Sequence, residues 1–276
     1  MKLFFFWSFS PFLSQYIRPE NPQVKMGPDG NNNSTTDGNV ATKMEFAVEL
    51  RSPCCVSRVE KALQELKGVT HFNIDLSTQR LIVEGSVVAD TVQNLIETKT
   101  GIAAVLLGQG TNSQKNLGAG VAAISIGNSG VQGMLRFIQT DSTSCIVDGT
   151  IDKLPTDDPV YLTVHQTGDV TSGCNSCGSL FTSSSFQGIL SHLAPKEDQR
   201  AEFKLVRPDL KLSDIIGRCV VVHKGSQEEI EHNTSQRLAC GIVARSSGLF
   251  ENSKRFCACD GITIWQQRQK EKETKS

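Results

Sequence analysis

Residues 44–67 read MEFAVELRSPCCVSRVEKALQELK, and this stretch decides the fold of the first half of the chain. Its first seven residues alternate apolar and polar side chains, which predicts a half-buried strand with Phe46, Val48 and Leu50 on one face. After Pro53 the apolar spacing becomes helical. The residues that share the predicted helical stripe are Cys55, Val59, Ala62 and Leu66. Gly68 is expected to end this helix.

The pattern continues with a hairpin, a second helix and a closing strand. THFNIDL (70–76) and QRLIVEG (79–85) predict two strands joined by a Ser-Thr turn. Apolar residues at helical spacing in 88–101 predict the second helix, and IAAVLLG (102–108) predicts the last strand. This order is the βαββαβ pattern of an α+β ferredoxin-like domain, which we place at residues 44–107.

The rest of the chain favours β structure. Residues 108–118 are rich in Gly, Gln and Asn and predict a linker. Residues 119–250 contain many short β-like runs between turns, which favours an all-β sandwich or barrel. Residues 251–276 are too few to form a core, so we expect an irregular segment that ends in a solvated, charged tail.

The first 43 residues are predicted to be a disordered leader. MKLFFFWSFSPFLS (1–14) contains a short apolar run, but Pro11 and three serines interrupt it and no A-x-A-like cleavage site follows. The run is also too short to cross a bilayer, and residues 17–43 are polar and irregular. We therefore predict a cytoplasmic protein that is not associated with a membrane.

The composition of the chain argues against some classes of function and favours others. The chain has 28 basic and 29 acidic residues, which argues against a strong electrostatic grip on nucleic acid or on anionic membranes. Its cysteines are too sparse for a disulfide-dense scaffold and odd in number, which favours metal or redox use of a subset in a reducing compartment. They are Cys54, Cys55, Cys145, Cys174, Cys177, Cys219, Cys240, Cys257 and Cys259.

Two of these cysteines, Cys257 and Cys259, form a C-x-C unit. In an extended backbone their Cα atoms would lie about 6.6 Å apart, at the outer edge of the roughly 4.4–6.8 Å that a disulfide tolerates. A bridge between them would therefore be strained and easily reduced. The same two thiols can converge on one soft ion such as Cu(I) or Zn(II). The unit suits transfer of a metal, of oxidising equivalents, or of both.

Four runs of sequence resemble the copper chaperones for Cu/Zn superoxide dismutase, and the resemblance covers residues 44 to about 268. The runs are VHQTGDVTSGCNSCG (164–178), DIIGRCVVV (214–222), RLACGIVARSSGLF (237–250) and CACDGITIW (257–265). The resemblance implies a heavy-metal-associated first domain, a Greek-key dismutase-like barrel and a short C-terminal segment that carries C-x-C. It also implies a Cu(I) cargo.

The family's M-x-C-x-x-C loop aligns with residues 50–55. Cys55 matches the second thiol, whereas Ser52 replaces the first thiol and Leu50 replaces the methionine. Cys54 is an additional thiol, but adjacent residues project differently, so it is a poor substitute for the missing ligand. Cys54 and Cys55 are candidate copper ligands in a loop whose ligand set is broken, and the alternative is a domain that serves only for folding or docking.

In the dismutase-like domain the resemblance implies a dismantled copper site. Thr163 replaces one histidine of the H-V-H pair, and residues 179–181 carry no bridging histidine. His165 and His223 remain as remnants. Because two histidines cannot complete a copper or zinc site, we expect no dismutase activity, no zinc, and a structural role for both residues.

The remaining cysteines outside the first domain and the C-x-C unit fall into three groups. Cys174 and Cys240 align with the intrasubunit disulfide of the dismutase fold, and a loop of about 66 residues would be worth about 4 kcal/mol in the chain-entropy treatment. Cys177 forms a C-x-x-C with Cys174, which is either a redox or zinc half-site or a spare thiol. Cys145 and Cys219 lie in strand-like runs and are expected to be inert core residues.

The leading functional hypothesis is a delivery protein. It would pair with Cu/Zn superoxide dismutase as a heterodimer, deliver Cu(I) through Cys257 and Cys259, and promote the client's intrasubunit disulfide by thiol–disulfide exchange. A homodimer is the competing assembly. The alternatives are a copper-independent thiol oxidoreductase that uses the same two thiols, and a non-catalytic docking partner of the dismutase.

Overall fold

The structure is a computed structural model that describes residues 40–111, 116–252 and 262–275. Most of the predicted leader lies outside the described residues. Cys257 and Cys259 also lie outside them, so the structure does not test the role predicted for the C-x-C unit.

The first domain has the predicted βαββαβ order. Its four strands form one antiparallel sheet in the order β2-β3-β1-β4. The elements are β1 (Thr42–Val48), α1 (Pro53–Gln64), β2 (Val69–Asp75), β3 (Arg80–Gly85), α2 (Ala89–Thr100) and β4 (Ala104–Gly110). Phe46 from the sheet, Val59 from α1 and Ile96 from α2 are fully buried in one cluster, so the helices and the sheet share a single core.

Several boundaries in this domain differ from the prediction. Strand β1 begins at Thr42, inside the predicted disordered leader, because Thr42 and Lys43 pair with Gly85 and Glu84 of β3. Helix α1 ends at Gln64, earlier than Gly68, because the chain closes a tight turn there with the amide of Leu66 donating to the Leu63 carbonyl (3.1 Å). Strand β4 continues to Gly110, which lies in the predicted linker. The extension forms because β1 supplies pairing partners along its whole length, with Lys43 opposite Gly110.

The second domain is all-β, as predicted, and consists of two sheets. One has the strand order β11-β7-β6-β5-β14, and the other has the order β10-β8-β12-β13. The strands of these sheets are β5 (Ala119–Ile124), β6 (Gln132–Gln139), β7 (Cys145–Asp152), β8 (Val160–Val164), β10 (Ile189–Leu193), β11 (Ala201–Arg207), β12 (Cys219–Lys224), β13 (Gln236–Ile242) and β14 (Ala244–Ser246). A further short strand, β9 (Thr171–Cys174), belongs to neither sheet order. Two short helices, α3 (Leu212–Ile215) and α4 (Gln227–Glu231), lie in the connections. Phe137 from one sheet and Val164 and Val222 from the other are buried in the core between them.

The C-terminal segment contains a helix, α5 (Ile264–Lys275), where the charge pattern predicts an irregular tail. Its first turn carries a capping box: the Thr263 hydroxyl accepts a hydrogen bond from the Gln266 amide (3.2 Å), and the Gln266 side chain accepts one from the Thr263 amide (2.9 Å). Arg268 also pairs with Glu97 of α2 at 3.1 Å. The cap, the ion pair and the helix-forming Gln, Lys and Glu residues explain why this tail is helical.

A buried charged contact joins the two domains, and no sequence pattern predicted it. Lys204 on β11 donates to the Thr42 hydroxyl of β1 (2.6 Å) and to the carbonyls of Gly85 and Val87 (both 3.2 Å). Asp148 on β7 is fully buried. Its carboxylate accepts a hydrogen bond from the side-chain amide of Gln109 on β4 at 2.8 Å. The first domain is therefore seated on the outer face of the five-stranded sheet.

Candidate metal and thiol sites

The loop before α1 leads into a thiol, Cys55, whose pKa is lowered by its neighbours. The Ser52 hydroxyl lies 3.6 Å from the Cys55 sulfur, and Cys55 is the third residue of the helix. The backbone amide of Arg51 and then the Ser52 hydroxyl lower the pKa of Cys55. Cys54 is exposed to solvent. The loop thus pairs a thiol of lowered pKa with a hydroxyl, whereas a tight Cu(I) site needs two soft ligands.

Restoring the missing thiol provides a direct test of this loop. In a Cys257→Ser/Cys259→Ser background we expect Ser52→Cys to retain Cu(I) at a chelator concentration that strips the parent loop, because the new sulfur would replace an oxygen that already lies close to Cys55. Competition with a chromophoric Cu(I) chelator measures the retained copper. Ser52→Ala is the matched control and should show no gain. Equal copper retention by both variants would show that the loop cannot bring two thiols together.

His165 and His223 form a closed pair. Their Nε2 atoms lie 2.9 Å apart, and both side chains are only 1% exposed. His165 Nδ1 donates to the Gly178 carbonyl (2.8 Å), which leaves its Nε2 to accept a hydrogen bond from His223 Nε2–H. His223 Nδ1 then accepts a hydrogen bond from the Ser235 hydroxyl (2.8 Å). Every ring nitrogen is satisfied when both imidazoles are neutral.

Burial keeps this pair neutral. It lowers the pKa of His165 to about 4 and that of His223 to about 3, with the proximity of His165 adding to the effect on His223. Thr163, which stands in the position of a lost histidine, is buried and donates to the Val221 carbonyl (3.2 Å). Within the described ranges these two histidines belong to no group of three or more potential ligands. The geometry favours a structural role.

Four cysteines lie together on the outer face of the four-stranded sheet. Cys174 and Cys240 form the predicted disulfide, with an Sγ–Sγ distance of 2.26 Å. Cys177 and Cys219 are free and fully buried beside it. The Sγ atoms of Cys177, Cys219 and Cys240 all lie within 4.8 Å of one another. We call these four residues the sulfur cluster.

Arg237 links the sulfur cluster to the histidine pair. Its guanidinium donates to the Cys174 carbonyl (2.7 Å) and to the Gly178 carbonyl (2.6 Å), which also accepts from His165. Arg237 contributes to lowering the pKa of Cys177. The arginine therefore holds the backbone around the cluster and supplies a positive charge beside its thiols.

Cys219 is the residue that sequence reasoning missed. It was expected to be an inert core residue, but β12 alternates, so that Val220 faces the barrel core while Cys219 faces the sulfur cluster. The register of β12 against β13 puts Val221 opposite Cys240, and Cys219 diagonal to it. Cys145 does lie in the barrel core, where burial raises the pKa of its thiol to about 12.

Comparison with known proteins assigns both domains. Residues 45–103 match the heavy-metal-associated domain, and residues 131–243 match the copper/zinc superoxide dismutase family. The chain therefore belongs to the class of proteins that join a heavy-metal-associated domain to a dismutase-like domain.

Full-length relatives define the family more narrowly. The copper chaperone for superoxide dismutase of Mus musculus is 38% identical over 254 residues, which cover 84% of this chain and 91% of the relative. That of Homo sapiens is 39% identical over 257 residues, which cover 85% and 92%. The chloroplastic/cytosolic copper chaperone for superoxide dismutase of Arabidopsis thaliana is 29% identical over 228 residues, which cover 80% and 69%. The chain belongs to the family of copper chaperones for superoxide dismutase.

The helices also bear on membrane association. In the described parts of the chain, every helix is too short or too polar to span a bilayer.

Proposed function

We propose that this protein delivers Cu(I) to Cu/Zn superoxide dismutase and promotes the client's intrasubunit disulfide through Cys257 and Cys259. The observation that carries the proposal is the C-x-C unit in a member of this family whose other inherited metal positions have lost ligands. Ser52 replaces a thiol in the first domain, and Thr163 replaces a histidine in the second. The charge-neutral histidine pair supports a second domain that docks and does not dismutate superoxide.

The client would be held as a heterodimer through the dismutase-like domain. Docking turns the transfer into an intramolecular step, for which a short tether gives an effective concentration on the order of mM. The described residues on both sides of the C-x-C segment contact the first domain: Arg80 donates to the Asn252 carbonyl at 3.3 Å, and Arg268 pairs with Glu97 at 3.1 Å. These contacts hold the described residues that flank the C-x-C segment in sequence against the first domain.

Copper would pass by ligand exchange between thiolates and the client's ligands. For the disulfide step, the C-x-C thiols are first oxidised to a disulfide by a two-electron acceptor such as O₂, which takes up their two electrons and two protons. A client thiolate then attacks the Cys257–Cys259 bond and forms a mixed disulfide. The client's second thiolate then attacks the client sulfur of that bond and releases the reduced C-x-C. Two electrons move from the client dithiol to the C-x-C disulfide. Cu(I) rather than zinc would be the cargo, and a reducing compartment such as the cytoplasm would suit the reduced thiols.

The decisive experiment mixes Cu(I)-loaded protein with reduced, zinc-loaded, copper-free dismutase. Dismutase activity and the client's disulfide are followed together for the parent and for Cys257→Ser/Cys259→Ser. We expect the double variant to lose client activation almost completely while still co-eluting with the client, because docking uses the barrel and transfer uses the thiols. Cys54→Ser/Cys55→Ser removes a matched pair of thiols elsewhere and should retain most of the activation.

The alternatives give different outcomes in the same assay. Disulfide formation in the client that persists with a Cu(I) chelator present would identify a copper-independent thiol oxidoreductase. If the parent and the Cys257→Ser/Cys259→Ser variant gave the same dismutase activity and the same amount of client disulfide, the protein would act only as a docking partner. Dismutation by the copper-loaded chain without its client would overturn the proposal that the barrel is inactive.

A further inference from the structure

Cys177 and Cys219 form a second two-thiol unit, separate from the C-x-C. Both side chains are fully buried, and their Sγ atoms lie within 4.8 Å of each other. One residue clamps the two backbones: the Thr167 amide donates to the Cys177 carbonyl (3.0 Å), and the Thr167 carbonyl accepts from the Cys219 amide (3.0 Å). The sulfurs are therefore held close to each other by the fold.

We propose that Cys177 and Cys219 bind one Cu(I) ion inside the dismutase-like domain. Thiolates are the ligands that soft ions prefer, and Cu(I) is satisfied by two of them. Zinc in proteins takes four ligands. Within the described ranges the ligand group consists of Cys177, Cys219 and Cys240 only, and Cys240 is committed to its bond with Cys174. The ligand count therefore favours Cu(I) over zinc.

The electrostatics of the pair fit a monovalent cation. Both thiols give up their protons when the ion binds: two thiols and Cu⁺ give a bis-thiolate copper unit and two released H⁺. The unit carries a single negative charge. The Arg237 guanidinium, which donates to the Cys174 and Gly178 carbonyls on either side of Cys177, balances that charge.

Copper can reach this site without disturbing the barrel core. The sulfur cluster forms a small apolar group with Val221 on the outer face of the sheet, distinct from the core between the sheets. Cys177 closes a one-turn 3₁₀ helix whose first residue, Asn175, is exposed. Local opening of that turn exposes the thiol and costs far less than unfolding the domain.

The site extends copper handling beyond the proposed C-x-C chemistry and uses neither Cys257 nor Cys259. It can therefore be tested in a full-length variant that carries serine at positions 54, 55, 257 and 259. We load this background variant anaerobically with Cu(I) and challenge it with a chromophoric Cu(I) chelator. The expected result is retention of about one Cu(I) per chain. Adding Cys177→Ser or Cys219→Ser should abolish the retention, and adding Cys145→Ser, the matched buried thiol of the barrel core, should leave it unchanged.

Two further measurements keep the test independent of folding defects. Peptide mapping of the Cys174–Cys240 disulfide and far-ultraviolet circular dichroism report whether each variant has folded. X-ray absorption of the copper-loaded background variant should show about two sulfur neighbours. Nitrogen neighbours would assign the copper to His165 and His223 and overturn the proposal, as would copper retention that survives both serine substitutions. Neither result bears on client activation by the C-x-C, which is measured separately.

Discussion

Acidification from pH 7 to about 5 is expected to destabilise the dismutase-like domain, because His165 and His223 are buried as a neutral pair. Their pKa values fall from 6.5 to about 4 and about 3 in the folded protein. Between those values and 6.5 the unfolded chain binds more protons than the folded one, so stability falls as pH falls. The stability is fully present above pH 6.5. The loss is on the order of 2 kcal/mol per histidine by pH 5.

Urea unfolding at pH 7.5, 6 and 5, followed by circular dichroism, measures this effect as the slope of unfolding free energy against pH. His223→Gln keeps a side-chain amide that can donate to His165, yet it removes one of the two titrating groups, so its slope should be visibly shallower. His71→Gln replaces an exposed histidine of β2 and should leave the slope unchanged. Parallel profiles for the parent and His223→Gln would show that the buried pair does not control the pH dependence.

The elements of the first domain could be predicted because each has a clear period. Alternation in β1 and helical spacing in α1 place Phe46 and Val59 in one core, and both are fully buried there. The prediction of an irregular tail rested on its charge and did not use Thr263 and Gln266, which form the capping box of α5. Errors of this kind arise because local patterns compete and the three-dimensional packing decides between them.

The sites depend on information that periodicity does not contain. The resemblance to the family predicted the Cys174–Cys240 disulfide, which the structure confirms. The place of Cys219 beside that disulfide depends on the register of β12 against β13, which one sequence does not reveal. The hydrogen bond between His165, the residue after β8, and His223 of β12 also depends on strand register, which one sequence does not reveal.

Asp148→Ala is expected to cost about 3–5 kcal/mol, because it would leave the buried Lys204 without its counter-charge. It would also leave the half-buried Arg136 with Asp90 alone. Asp148 lies directly opposite Arg136 on one neighbouring strand and Lys204 on the other. Burial lowers the pKa of Arg136, and it lowers that of Lys204 to about 8, while it raises the pKa of Asp148. The carboxylate is thus the only negative member of a positive–negative–positive row, and its neighbours depend on it.

The row matters beyond its own sheet because it faces the first domain. Asp148 accepts from Gln109 of β4, and Lys204 reaches Thr42 of β1, so loss of the central charge should weaken the seating of one domain on the other. Asp152→Ala is the matched control on the same strand: its carboxylate pairs with Arg200 at 2.5 Å but is 37% exposed, and such pairs are worth about 1 kcal/mol or less. Urea unfolding at pH 7.5 compares the two variants. A similar cost for both would show that solvent already screens the row, and that apolar contacts alone hold the domains together.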